Sequence, residues 1–183
     1  MATPTTLPSS FTAGNVLLAS EMNALRGAFR VLQVVSTIKT DTFTATSTGA
    51  AGGTVIDITG LTATITPSST SSKILIIAQI NKGNYGNLVL KRGSTLIAQA
   101  DAANNRVQAT SAGFGIGGSE GPAPICAFHL DSPSTTSATT YAASLITSQA
   151  VSVAYYINRG DTDTDAANFT RSTSSITVME ISA

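Results

Sequence analysis

The chain has 183 residues and a mass of 18.6 kDa, a size typical of one compact domain. Hydrophobic residues make up 42% and charged residues only 11%, which is the opposite of the balance found in disordered chains. Ten basic and ten acidic residues leave no net charge, so the composition predicts neither a nucleic-acid partner nor an anionic membrane surface as partner.

The sequence also predicts where the chain is made. No apolar run approaches the length that crosses a bilayer, and Met1–Ser10 lacks the basic start and apolar stretch of a signal peptide. Cys126 is the only cysteine, which excludes an intrachain disulfide and a cysteine-rich metal site. We therefore expect synthesis in a cytosol. So few charges are a solubility risk for a free monomer, which favours a surface that is covered in an assembly.

The first thirty residues differ from the rest and predict a separate attachment region. Met1–Gly14 contains prolines and scattered hydroxyl residues, a pattern typical of an extended arm. Met22, Leu25 and Phe29 recur at helical spacing, so Ser20–Phe29 predicts one short amphipathic helix. Because so short a helix is marginal alone, it needs a docking surface on its own domain or on a neighbour.

Residues 31–183 predict a single all-β domain. Short segments rich in Val, Ile and Thr are separated by clusters of Gly, Asn, Pro and Ser, which favours an antiparallel β-sandwich of jelly-roll-like form. The predicted strands are Val31–Ile38, Thr42–Thr46, Thr54–Ile58, Leu61–Thr66, Lys73–Ile80, Leu88–Lys91, Thr95–Gln99, Ile125–Leu130, Thr140–Ile146, Val151–Ile157 and Ile176–Ile181.

Some segments carry a more specific prediction. Ile74–Ala78 is apolar at every position, which predicts a central strand covered on both sides. Arg92-Gly93-Ser94 lies between two strands and predicts a hairpin turn. Three further segments are predicted to be loops, namely Pro67–Ser72, Gly113–Pro124 and Asn158–Ser174.

Gly113–Gly118 formally matches the G-x-G-x-x-G pattern of dinucleotide-binding proteins. That site requires a strand before the glycines and a long helix after them. Ser119–Pro124 follows here and cannot start such a helix. The glycine-rich stretch is instead interpreted as a flexible loop or as a segment packed closely against another chain.

Asp161, Asp163 and Asp165 stand at alternate positions, as at the start of a calcium-binding loop. An EF-hand then requires Gly and Glu where this chain has Ala166 and Ser172, so an EF-hand is excluded. A solvated acidic loop is the favoured interpretation, and a looser cation site is the alternative.

Cys126 and His129 flank an apolar strand and are the remaining residues with catalytic or metal-binding chemistry. Residues three apart on a strand point to opposite faces, so the two side chains are not expected to share a metal ion or to form a nucleophile–base pair. We expect a buried Cys126 and a hydrogen-bonded or rim-located His129. The sequence therefore predicts no catalytic residues, no cofactor and no metal site.

One connection has the composition of a ligand-binding loop. Asn84, Tyr85 and Asn87 combine amide groups with an aromatic ring in a glycine-containing segment, which makes them a candidate surface-ligand loop. Aromatic residues amount to only 5% with no Trp, which argues against a high-affinity lectin.

Several segments together resemble virion proteins of tailed phages. Phe11–Leu17 and Ser20–Arg26 are similar to the N-terminal attachment segment of such proteins. The stretches that resemble the β-sandwich domain of tailed-phage, cyanophage-like virion proteins are Val31–Thr37, Lys39–Phe43, Ile58–Leu61, Ile65–Leu75 and Ser175–Ile181. The middle of the chain, Ala100–Pro124, departs from that pattern.

The resemblance implies a non-enzymatic homotrimer on the outer surface of a virion. Such domains occur in capsid decoration (cement) proteins, whose partner is the major capsid protein, and in tail fibres or tailspikes that contact host glycan. The predicted helix runs almost directly into the sandwich and leaves no room for a fibre shaft, which favours decoration. A short receptor-binding tail fibre is the alternative. The residues expected to attach the protein to the particle are Phe11, Val16, Leu17, Met22, Leu25 and Phe29.

Overall fold

The computed structural model describes residues 31–49, 53–113, 121–147 and 151–182. These residues form antiparallel strands and contain no helix, hence none long and apolar enough to cross a membrane. The predicted arm and the predicted helix Ser20–Phe29 lie outside the described residues. The strands are β1 (Val31–Lys39), β2 (Phe43–Thr46), β3 (Val55–Ile65), β4 (Lys73–Lys82), β5 (Asn87–Arg92), β6 (Thr95–Ile97), β7 (Ala123–Asp131), β8 (Thr139–Ile146), β9 (Ala154–Ile157) and β10 (Ser174–Ile181).

Most predicted strands match an observed strand to within a few residues, with one exception. The separate strands predicted at Thr54–Ile58 and Leu61–Thr66 are one strand, β3. Ile58 and Leu61 both point into the core although they are three residues apart, because the pairing register shifts between them. Gly60 has a φ of +83°, which lets the chain form a β-bulge there.

The strands form two antiparallel sheets. In the first sheet the order is β1-β10-β4, and β7 pairs with β4 along its full length. The β2–β9 pair extends this sheet at one end through a single pairing of β9 with β4. The second sheet has the order β3-β8-β5-β6.

The two sheets enclose one hydrophobic core, in a sandwich-like arrangement. Alternate residues of each strand point inward and are buried, as expected where a sheet packs on one face. The first sheet contributes Ile74, Ile76, Ala78, Ile80, Ile125, Ala127, Tyr155, Ile157, Ile176 and Val178, and the second contributes Ile58, Leu61, Ala63, Ile65, Leu88, Leu90, Tyr141, Ala143 and Leu145.

A buried polar cluster connects β7 to the second sheet. Asp131 at the end of β7 accepts a hydrogen bond from the Tyr141 hydroxyl at 2.7 Å and forms an ion pair with Arg92 at 2.9 Å. Burial and the hydrogen bond to Asp131 both raise the pKa of Tyr141, so its hydroxyl remains a donor. This cluster holds the end of β7 in place.

A second polar cluster closes the sandwich near the loop between β3 and β4. Glu180 of β10 is fully buried, and its carboxylate accepts hydrogen bonds from the Ser68 backbone N–H, the Ser68 hydroxyl and the Gln33 amide at 2.6–2.7 Å. Burial raises the pKa of Glu180, but the hydrogen bonds from Ser68, Gln33 and Ser72 outweigh burial and lower the pKa to about 2. The buried group is therefore a carboxylate at neutral pH.

The predicted hairpin and the central strand are both present. Gly93 and Ser94 connect β5 to β6, with Gly93 at a φ of +57°. β4, which contains Ile74–Ala78, lies between β10 and β7. Ile74, Ile76 and Ala78 are fully buried on the inward side, while Leu75 and Ile77 on the outward side are half-buried, so cover on that second side stays a prediction.

Candidate interaction surface

The outward side of the first sheet is a largely apolar surface with few charges. We call it the outer face and define it by the residues of β1, β10, β4 and β7 that point away from the core. These residues are Val31, Leu32, Val34, Ser36, Ile38, Ser175, Thr177, Met179, Ile181, Lys73, Leu75, Ile77, Gln79, Asn81, Pro124, Cys126, Phe128 and Leu130.

The strand register places these residues in rows across the sheet. One row contains only apolar side chains, because Val34 pairs with Met179, Met179 with Leu75, and Leu75 with Leu130. Side chains that are paired across adjacent strands lie about 5 Å apart and contact each other. The row is therefore one uninterrupted apolar strip across the four strands.

The neighbouring row combines apolar residues with hydroxyl groups, in the order Ser36, Thr177, Ile77 and Phe128. The hydroxyl oxygens of Ser36 and Thr177 are 2.8 Å apart and hydrogen-bonded to each other. Since each hydroxyl has a partner within the face, covering this row leaves neither of them without a hydrogen bond.

The most exposed apolar side chains lie at the two edges of the outer face. On β7, Phe128 is 68% exposed and Leu130 53% exposed, while on β1 the values are 54% for Val34 and 65% for Ile38. The strands between them, β10 and β4, carry half-buried side chains such as Leu75. The surface thus has an apolar ridge along each edge and a shallower middle.

Among the outward side chains of these four strands, Lys73 is the only charged one. It lies at the end of β4, where its ammonium group donates a hydrogen bond to the Ser132 hydroxyl at 2.7 Å. A sheet that faces water normally alternates apolar inward residues with polar outward ones. The outer face departs from this rule, and exposed apolar surfaces of this kind mark interaction sites.

The second sheet follows the ordinary rule on its own outward side. Thr62 and Thr64 are exposed there, and the Thr64 hydroxyl is 2.8 Å from that of Thr140. Asp57 forms an ion pair with Lys91 at 2.7 Å. The Lys91 hydrogen bond lowers the pKa of Asp57, so the pair stays ionised at neutral pH. The two outward sides of the molecule therefore differ sharply in chemistry.

The candidate surface-ligand loop presents one group to solvent. Tyr85 is exposed, whereas Asn87 is half-buried at the start of β5. The Asn84 amide donates to the Ala154 carbonyl at 3.1 Å and accepts from the Tyr85 N–H at 2.8 Å. The Asn84 side chain therefore holds the loop, and Tyr85 is the group available to a ligand.

The expectation of a buried Cys126 is wrong, because the structure leaves the thiol exposed on the outer face. Ile125 and Ala127 fill the inward positions of β7, so Cys126 points the other way. His129 is half-buried and lies on the opposite side of the strand, as its spacing from Cys126 predicts. The two side chains therefore do not form a common site.

Asp163 and Asp165 of the acidic loop line one pocket, but Asp161, Asp163 and Asp165 are not grouped as metal ligands. Asp163 forms ion pairs with Arg171 at 2.6 Å and with Arg159 at 3.9 Å, and the Asp161 carboxylate accepts the Thr162 N–H at 2.8 Å. In the described part of the chain no three His, Cys, Asp or Glu residues are grouped as metal ligands. Two arginines beside Asp163 make this loop a poor site for a cation.

The predicted attachment residues Phe11, Val16, Leu17, Met22, Leu25 and Phe29 all lie outside the described residues. So does most of the glycine-rich loop, of which Gly113 and the segment from Gly121 are described. Comparison with known proteins adds nothing to these assignments, since no protein-family model and no curated protein matches the chain.

Proposed function

We propose that the protein is a non-enzymatic structural component of a tailed-phage virion, a trimeric decoration protein on the outer surface of the capsid. The observation that carries this proposal is the outer face, an apolar and nearly uncharged sheet surface on an otherwise hydroxyl-rich chain. A protein that works by being assembled needs such a surface, whereas a free monomer is penalised for it.

The strand order supports a jelly roll, the finer form of the proposed fold. Four strands of the first sheet follow the order β1-β10-β4-β7, and the second sheet follows β3-β8-β5-β6. An eight-stranded jelly roll divides its strands between two four-stranded sheets in this same order. The β2–β9 pair is then an addition to those eight strands. Jelly rolls are common in viral capsid and lectin domains, which agrees with a role on a particle surface.

The division of side chains on β7 supports a non-enzymatic role. Cys126 and His129 are the natural candidates for a nucleophile and its base, and they lie on opposite sides of one strand. Such a pair must come within hydrogen-bond reach to activate the nucleophile. The strand geometry keeps them apart.

The N-terminal segment supplies the proposed contact with the capsid. Its apolar residues, from Phe11 to Phe29, come before β1 in the sequence. Three such segments in a trimer would bind the shell together, and multivalent attachment is strong without any single strong site.

A short receptor-binding tail fibre is the second candidate function. The exposed Tyr85 favours it, because its ring stands on a loop held by Asn84 and offers a flat face with a hydroxyl to a sugar. In that case the loop would bind host glycan, and substitution of Tyr85 by Ala would abolish adsorption to the host while leaving the number of copies on the particle unchanged.

Deletion of Met1–Phe29 tests the proposed attachment. We expect the shortened chain to keep its β-type circular dichroism spectrum and to lose binding to capsids that lack the protein, measured by co-sedimentation. The matched control is the full chain with Tyr85→Ala, which should bind capsids as well as the native chain. Capsid binding by the deleted chain would contradict the proposal.

A further inference from the structure

We propose that the outer face is the surface through which copies of this chain contact each other, with the β7 ridge of one copy packed against the β1 ridge of the next. This inference deepens the proposed function and rests on it for the trimer. The β7 ridge consists of Phe128 and Leu130, and the β1 ridge consists of Val34 and Ile38.

The extent of the outer face fits a contact between subunits. Four strands at about 4.8 Å spacing give a width of roughly 19 Å, and the stretch from Leu32 to Ile38 is about 20 Å long. Each outer face therefore has a flat area of roughly 400 Å², and in a ring of three each face is shared between two neighbours, so the three faces together bury roughly 1,200 Å², which is the order of size of a specific interface.

The chemistry of the outer face fits a second copy better than a charged partner. Its hydroxyls on Ser36 and Thr177 are hydrogen-bonded to each other, so burying them is inexpensive. It carries no carboxylate, and Lys73 at its margin donates to Ser132. Copies can therefore approach without like-charge repulsion, while an acidic peptide or a nucleic acid would find almost no opposite charge.

The position of the ridges indicates how the copies are arranged. The two ridges lie on opposite edges of the four-stranded surface and consist of different residues. When the β7 ridge of each copy packs against the β1 ridge of the next copy, the contact is heterologous, and it forms a ring where the rotation from copy to copy closes. Three copies arranged in this way would turn their outer faces towards a common axis.

The alternative occupant of the outer face is the N-terminal segment of the same chain. The helix predicted at Ser20–Phe29 would be about 15 Å long and about 10 Å wide, and it would cover less than half of the surface. A second copy can cover both ridges along their full length, whereas a helix of about 15 Å laid across the strands would reach both ridges only over its own width of about 10 Å. The experiment below separates the two occupants.

The test uses the full chain and measures its mass in solution by light scattering and analytical ultracentrifugation. We expect the native chain to be a trimer, and Phe128→Lys and Ile38→Lys each to weaken association by at least about a hundredfold, because each places a charge in an apolar contact. Thr62→Lys is the matched control, since it introduces the same charge at an exposed position on the opposite sheet. It should remain trimeric, and circular dichroism should show all variants folded.

A charge swap tests the heterologous arrangement. In the double variant Phe128→Lys with Ile38→Glu, the lysine of one copy would face the glutamate of the next, and we expect the trimer to be restored. A trimer that survives both single lysine substitutions would overturn the proposal. So would a native monomer, or dissociation by the single variants without rescue by the double variant, which would indicate that each ridge packs against its own kind.

These outcomes are distinct from failure of the proposed function. If Phe128→Lys breaks the trimer but the protein is never found on virions, the proposed interface is supported and the proposed virion role is contradicted. If the protein is abundant on virions but its Phe128→Lys variant is still trimeric, the virion role is supported and the proposed interface is contradicted.

Discussion

At the scale of single residues, the clearest pH-sensitive group is Glu180. Its pKa lies near 2 in the folded protein, below the ordinary value of 4.5. A carboxyl group with a lowered native pKa stabilises the fold above its unfolded pKa, and that stabilisation is lost as the pH falls towards the native pKa. The hydrogen bonds from Ser68, Gln33 and Ser72 to its carboxylate therefore weaken between about pH 5 and pH 2.

We expect Glu180→Gln to lower the free energy of unfolding at pH 7 by on the order of 2 kcal/mol, a discounted conversion of the pKa shift. The difference from the native chain should shrink as the pH is lowered to 2. Urea unfolding at several pH values measures this, with Asp101→Asn as the control for removal of an exposed carboxylate. If the free energy of unfolding of the native chain and of Glu180→Gln changed with pH in the same way, the role assigned to Glu180 would be contradicted.

Gly83 tests a close approach of two backbone segments. A methyl group on its Cα would overlap the Arg159 carbonyl oxygen, while one on Gly93 would meet nothing within 4 Å. We expect Gly83→Ala to destabilise the fold by about 2–3 kcal/mol through overpacking. Gly93→Ala should cost about 1 kcal/mol, because only the left-handed backbone is disfavoured. The melting temperatures of both variants, measured at one protein concentration, check this. An equal decrease for Gly83→Ala and Gly93→Ala would show that the backbone contact at Gly83 is not tight.

At the scale of elements, most strands could be predicted from the sequence and the outer face could not. Alternation at Leu61, Ala63 and Ile65 identifies the buried side of β3 because the residues between them are threonines. In β4 both sides are apolar, so the pattern cannot indicate which side the second sheet covers. The bulge at Gly60 was missed for a related reason, since two short alternating runs out of phase predict two strands.

The position of Cys126 could not be predicted for the same physical reason. A small apolar thiol between Ile125 and Ala127 fits either a core or a covered outer surface, and only the register of β7 decides. The signal that could have located the outer face is the pair Phe128 and Leu130, which lies out of phase with the apolar Ile125 and Ala127 in the same strand. Two apolar sides on one strand indicate two packing partners.

Cys126 also reports whether the outer face is covered. Its thiol is exposed in the single chain, next to Phe128 in the outward order of β7. If copies pack there, we expect a maleimide to label the native trimer at least about tenfold more slowly than the Phe128→Lys variant, because thiol reactivity depends on access.

Labelling in urea serves as the control for that experiment, since the native chain and the variant should then react at the same rate. Equal labelling of the two folded proteins would indicate that the outer face is open in the trimer, with Cys126 away from any contact.

At the scale of the whole molecule, two unlike sheet surfaces enclose one hydrophobic core. The second sheet presents hydroxyls and an Asp57–Lys91 ion pair to solvent, whereas the first presents the apolar outer face. An assembled particle protein needs both, since one surface must be covered and the other must stay in water. In the proposed function the N-terminal segment, with its apolar residues before β1 in the sequence, is the contact with the shell.

The most direct test of this account is the number of copies of the protein in each purified virion, measured by quantitative mass spectrometry against the major capsid protein. We expect a number comparable to that of the capsid protein and divisible into trimers. A number many-fold lower would place the protein on the tail and direct attention to Tyr85 and its loop. Complete absence from the particle would contradict the account.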